Sequence, residues 1–239
     1  MEELKAKVEE LKAAKNDEER IQVLQKIMEI LLTKYTIKLD DMIIEPLLLE
    51  AYYYDWPDKQ NPPNESDRVG RFLDDNCHGA SEQKNHSMKL YFHKTGYGGV
   101  DLCLSDGPYY LSFLIKCARV NDGPICSQTA LYDTLYGHSS DIVLTARNTL
   151  LEHNHVVYNP RKGLSKPTYQ SDLLAAILID ALKYKTVQQS LAKGYSKQWV
   201  LAQYAFRETN SDKNKVSPFL NKNGLYSGNI DKAIIDRLG

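Results

Sequence analysis

The chain has 239 residues with 30 basic and 31 acidic side chains, is 42% hydrophobic and 26% charged, and carries a formal net charge of −1. That composition suits one large globular domain with a sizeable core and excludes a disordered or fibrous protein. The near-neutral balance supplies no global basic signal for nucleic-acid binding, which leaves only a local basic stripe to provide one.

No apolar run approaches the roughly 18 residues of a membrane span, and the N-terminal MEELKAKVEELKAAK is charged and amphipathic, without a signal-peptide core. A cytoplasmic protein with no membrane partner is therefore expected. Cys77, Cys103, Cys117 and Cys126 form no C-x-x-C pair and read as reduced thiols. Sixteen tyrosines against five phenylalanines give many flat faces carrying a hydroxyl, which suit base or sugar recognition and half-buried strands alike.

Leu4, Val8 and Leu11 lie on one helical stripe, and Ile21, Leu24, Ile27, Met28 and Leu31 on a second. Asn16 and Asp17 fit a break and N-cap between them, so residues 1–34 read as a helical arm with a solvated charged face. From Met42 the run MIIEPLLLEAYYYD is a strand, ended by Asp55-Trp56-Pro57. Residues 58–85 are polar and read as a long loop of a kind that is usually functional.

Three short strands over 89–93, 100–105 and 109–118, joined by glycine-rich turns, predict an antiparallel meander. A helix is expected over 127–135, mixed segments over 141–158, and helices over 171–183, 186–206 and 230–238. The fold class is α+β in a single domain over 1–239, with a β-rich core over 42–165 and a helical C-terminal region over 170–239.

Alternation along the first strand puts Leu48, Glu50, Tyr52 and Tyr54 on one face and Leu47, Leu49, Ala51 and Tyr53 on the other. A carboxylate after three leucines and before three tyrosines is expected to be partly buried, where desolvation disposes it towards proton transfer near neutrality. The pattern alone favours a plainer reading, a strand-end glutamate facing solvent or paired with a lysine.

The order of motifs adds to that. Leu49-Glu50-Ala51-Tyr52 is followed by Asp75-Asn76-Cys77-His78-Gly79-Ala80, then Leu90-Tyr91-Phe92-His93 with Tyr97-Gly98, then Leu114-Ile115-Lys116. In this order the chain resembles the methylpurine (3-methyladenine) DNA glycosylases over about residues 43–120, with weaker similarity back to the helix near Ile21 and forward to residues 160–164. The resemblance implies a curved antiparallel sheet with surrounding helices, and a DNA partner.

It also implies a site. Glu50 matches the general base that activates water against the sugar's anomeric carbon, and Lys116 stands where the family commonly has a water-positioning arginine. Tyr52, His78, His93 and Asp101 match the base-binding positions. His93 replaces an aromatic wall and Asp101 an asparagine, and these departures point to altered selectivity, so that the expected substrate is either the family's usual alkylated purine or a hypermodified base such as those of phage DNA. Tyr97 matches the side chain inserted into the duplex to fill the gap left by a flipped base.

Arg119, Arg161 and Lys162 are candidates for the DNA backbone and equally readable as solvated surface charges. The resemblance implies neither cofactor nor metal, and the spacing of Cys77, His78, His86 and His93 matches no familiar zinc arrangement. The competing function is a non-catalytic module that binds nucleic acid or protein on the same fold.

Overall fold

The structure, a computed structural model, describes residues 1–84, 86–93, 98–123, 125–147, 154–159, 161 and 174–180. Capping and spacing explain its first elements. α1 (Glu2–Ala13) buries Leu4, Val8 and Leu11. α2 (Asp17–Lys34) starts at Asn16, whose side chain accepts from the Glu19 N–H at 2.9 Å while Glu19 accepts from the Lys15 N–H at 2.8 Å. This exchange satisfies donors that a helix start leaves open, and the acidic first turn suits the helix dipole.

The two helices are not a projecting arm. Leu4, Val8, Leu11, Leu24, Ile27 and Leu31 belong to the same core cluster as Ile37, Leu49 and Phe113 of the sheet. Leu11→Ala should therefore lower the unfolding free energy by about 2–5 kcal/mol, the usual cost of emptying a buried leucine site. Denaturant melts would check this, and a change of a few tenths would restore the arm.

β1 (Tyr35–Leu39) follows α2 directly and has no counterpart among the sequence expectations. β2 (Met42–Tyr54) is the spine of the sheet. It pairs with β1 and then β9 (Ala175–Asp180) along one side and with β5 (Tyr110–Val120) along the other. Its register with β5 shifts twice, at Leu47 on β2, next to Pro46, whose ring nitrogen has no hydrogen for a ladder, and at Lys116 on β5. Beyond these shifts the alternation is regular, and Leu49, Ala51 and Tyr53 enter the main core as expected. Tyr54 and Tyr52 pack on the other face with Cys77 and Tyr110.

The long loop carries one turn of helix, α3 (Glu65–Arg68), and a 3-10 turn at Ser81–Gln83. It does not stand away from the sheet. Phe72, Asp74, Cys77 and Gln83 are buried, and backbone bonds from Asp55 N–H to Phe72 and from Asp74 N–H to Tyr53 lay residues 72–74 along the end of β2.

The meander β3 (Lys89–His93), β4 (Gly99–Cys103) and β5 forms as expected. After it come β6 (Ile125–Ser127), α4 (Gln128–Leu135), β7 (Val143–Ala146) and β8 (Asn154–Asn159). The sheet runs β3-β4-β5-β2-β1-β7, and the segment just before β7 reaches the β3 edge, where Leu90 N–H donates to Ser140 at 2.8 Å and Ile142 N–H to Met88 at 3.3 Å. The result is an antiparallel sheet curled into a half-barrel, with few helices.

One expectation is corrected. Within the helix expected over 171–183, Ala175–Asp180 is a strand paired with β8 and β2. Ala175 and Ala176 are fully buried. A short apolar run buried on both faces has no period that distinguishes strand from helix, so pairing with β2 outweighs alanine's helix preference. The rest of the helical C-terminal region, including 186–206 and 230–238, lies outside the described residues. Among the described residues no helix is long and apolar enough to cross a membrane.

Candidate active site

Strand register assembles the site. Tyr91 stands opposite Asp101, Asp101 opposite Leu114, and Leu114 opposite Glu50, so four strands place these residues in one row on one face. That face is opposite the one formed by Leu102, Phe113 and Ala51, which enter the main core. The result is a polar row on a sheet whose other side is apolar.

Glu50 is fully buried. The Tyr52 hydroxyl donates to its Oε2 at 2.9 Å, and the Lys116 ammonium lies 3.7 Å from the same oxygen. The expected lysine pairing and the expected burial are therefore both present. Burial and then the Glu50 charge push the Tyr52 hydroxyl well above the ordinary phenol range, against the opposing charge of Arg161, so the phenol stays a donor. Lys116, on β5, has the more exposed side chain of the ion pair, at 24%.

A second cluster is built around Asp101, which is 2% exposed. Its Oδ2 accepts from Gln83 Nε2 at 2.7 Å and from the Ser112 hydroxyl at 2.9 Å, and its Oδ1 lies 2.9 Å from His93 Nε2. Burial alone would lower the His93 pKa, but the hydrogen bond and charge of Asp101 outweigh it and raise the imidazole above 6.5. His78 moves the other way, lowered by burial and then by His93. The rings of His78, Tyr91 and His93 pack together, with centroids 4.8 Å apart for Tyr91–His93 and 4.9 Å for His78–His93.

These opposite shifts predict a pH signature. A raised folded value means that His93 adds stability in full below about pH 6.5, and loses it as pH rises through the folded value. His78, with a depressed value, adds stability above that point and loses it as pH falls. Melting temperatures over pH 5–9 should therefore fall as pH rises from about 6.5 through the folded His93 value, and Asp101→Asn should remove that fall. A fall that persists in Asp101→Asn would assign it to another group.

Arg161 is corrected from a surface position to an interior one. Its side chain and that of Asp74 are both fully buried and form an ion pair. Arg161 Nη1 also donates to the Ala51 carbonyl at 3.0 Å, and the guanidinium stands 4.7 Å from the centroid of the Tyr52 ring. A group held in this way faces no phosphate. Instead it supports the aromatic ring that holds Glu50.

Arg119 is half-buried on β5 opposite Glu45. Five residues of β2 separate Glu45 from Glu50, about 17 Å at strand rise. The structure does not bring Arg119 to the site. Tyr97 and Lys162 lie outside the described residues.

Gln83, Ser112 and Asp74 are absent from the sequence expectations. Ser112 had a signal, because alternation along Leu111-Ser112-Phe113-Leu114 sets a hydroxyl on the face of Leu114 and Lys116. Gln83 and Asp74 had none, since a loop has no period from which to read direction. The loop is fastened by Lys59, which donates to the carbonyls of Asp75 and Cys77. Gly79 closes against it at φ +70°, where an added Cβ would stand 2.7 Å from Lys59 Cδ.

No protein-family model, curated protein or solved structure matches the chain. Among the described residues no group of three or more His, Cys, Asp or Glu side chains is arranged to hold a metal ion. The site chemistry therefore rests on its own geometry: a held carboxylate at one end of a polar row, and a carboxylate–imidazole pair at the other.

Proposed function

We propose that the chain is a monofunctional DNA glycosylase, which flips a damaged or modified base out of DNA and hydrolyses its N-glycosidic bond. The observation that carries this reading is the hold on Glu50. A fully buried carboxylate with one oxygen occupied by Tyr52 and Lys116 is an oriented group, suited to taking a proton from water and to stabilising positive charge on a sugar.

Lys116 is the exposed neighbour and marks the side from which water and sugar approach. His78, Tyr91 and His93 form the walls that receive the base, with Asp101 behind them. Alkylated purines and hypermodified bases are the substrate classes this reading carries. Tyr97, by the resemblance, supplies the wedge that replaces the extruded base.

The experiment is base release, followed by mass spectrometry, from alkylated DNA and from DNA containing hypermodified bases. Glu50-dependent release with alkali-labile sites left in the strand supports the glycosylase. One observation favours a second reading, because full burial of Glu50 also suits a structural ion pair in a module that only binds. Such a protein would retain DNA and leave no alkali-labile site.

A further inference from the structure

Of the three rings that wall the site, His78 alone comes from the loop. It packs on Tyr91 and His93 with ring centroids 5.6 and 4.9 Å apart. Its side chain is nevertheless exposed, and among the described residues no hydrogen bond fixes its ring. Tyr91 and His93 are carried by the β3–β4 ladder, whereas His78 lies in a segment without regular secondary structure. Its ring therefore keeps its place only if the backbone on each side of it is held.

Lys59 holds both sides. Before His78, the Cys77 N–H closes a turn on the Asp74 carbonyl at 3.0 Å. The Lys59 ammonium caps that turn. It lies 2.8 Å from the Asp75 carbonyl oxygen and 3.5 Å from that of Asp74, and it donates to the Cys77 carbonyl. Three carbonyl oxygens match the three donors of an ammonium, and the Tyr54 ring, with its centroid 5.5 Å from Nζ, adds an aromatic face to the cradle.

After His78, Gly79 packs on the aliphatic stem of the same lysine. A Cβ at Gly79 would stand 2.7 Å from Lys59 Cδ and 2.9 Å from its Cβ, so any larger residue there must push the stem aside. The head of one side chain thus fixes residue 77 and its stem fixes residue 79. Asp74, at the start of the turn, is tied separately by its ion pair with Arg161. Tyr54 is four residues along β2 from Glu50, about 13 Å at strand rise, so the ammonium is placed to act on the loop rather than on the carboxylate.

We propose that Lys59 is a positioning residue: its ammonium, held in the carbonyl cradle of residues 74–77, sets His78 against Tyr91 and His93 and so shapes the wall that receives the base. The effect on base release rests on the glycosylase reading, in which His78 is part of that wall. The effect on the His78 ring does not.

The experiment has a spectroscopic arm and a kinetic arm, both on the full chain. In the first, ring-to-ring NOEs are recorded with labelled histidine and tyrosine. Lys59→Ala should lose the His78–His93 cross-peak and keep the Tyr91–His93 one, because those two rings share a strand. n-Propylammonium, the fragment that Lys59→Ala deletes, should restore it, and tetramethylammonium, which has no N–H to donate, should not. Gly79→Ala attacks the same contact from the other side and should lose the same cross-peak.

In the second arm, single-turnover base release from alkylated DNA should fall about a hundredfold in Lys59→Ala, the scale of a small misplacement of a positioned group. In a His78→Ala background, Lys59→Ala should cost less than about twofold, since a residue acting through His78 has nothing left to position. A His78–His93 cross-peak that survives in Lys59→Ala and Gly79→Ala overturns the proposal. Loss of both cross-peaks without rescue, or equal costs of Lys59→Ala in the two backgrounds, also overturns it by making Lys59 a general support of the fold. Absence of base release from the native protein overturns the glycosylase reading instead, and the NOE arm then decides Lys59 alone.

Discussion

Arg161→Met is expected to destabilise the fold by about 3–5 kcal/mol, the usual cost of removing one partner from a buried ion pair. The magnitude comes from what is left behind. Asp74 is left fully buried without its counter-charge, with the Asn76 N–H donating to it at 3.0 Å. Arg161→Met also uncovers the Tyr52 ring and the Ala51 carbonyl, both adjacent to Glu50. Pairing it with Asp74→Asn should recover part of the loss, because the double variant buries no lone charge. Denaturant melts of the two singles and the double give the coupling directly. A loss under about 1 kcal/mol, combined with a shallower salt dependence of DNA binding, would return Arg161 to the phosphate contact read from its sequence.

That reversal of Arg161 shows where sequence reading stops. The alternation of Leu49 to Tyr54 was legible because a strand has a period of two, and burial on one face sets its register. Asn16 was legible as a cap because its effect is local. Glu50, Tyr52 and Lys116 follow from the same strand logic together with the order of the resembling motifs. Arg161 and Asp74 are 87 residues apart, and Asp74 comes from a loop. Nothing in either neighbourhood marks a partner at that distance. Gln83 was hidden for the same reason, and β9 because a short apolar run fits strand and helix alike.

The two halves of the site divide the electrostatic work. Lys116 and Tyr52 converge on one oxygen of Glu50, while Gln83, Ser112 and His93 converge on Asp101. Each buried carboxylate is thus compensated within its own cluster, as burial requires. Leu114, half-buried, stands opposite Asp101 on one side and Glu50 on the other.

Glu50→Gln is expected to reduce base release by about a hundred- to ten-thousand-fold, the contribution of a positioned general base. The amide keeps the shape of the side chain and still accepts from the Tyr52 hydroxyl, but it takes no proton from water. It also takes the counter-charge from Lys116, whose side chain is 24% exposed and keeps part of its hydration, so a denaturant melt of Glu50→Gln beside the native protein separates a loss of activity from unfolding. DNA affinity should remain, since no phosphate contact is altered. Tyr52→Phe gives the graded comparison. It deletes one hydrogen bond to a charged group, which contributes about 1.5–3 kcal/mol, and leaves the base in place but less firmly held. The rate order native, Tyr52→Phe, Glu50→Gln, at unchanged DNA affinity, is what an oriented base requires. Glu50→Gln releasing base at the native rate would place the chemistry elsewhere and leave Glu50 as one half of a structural pair with Lys116.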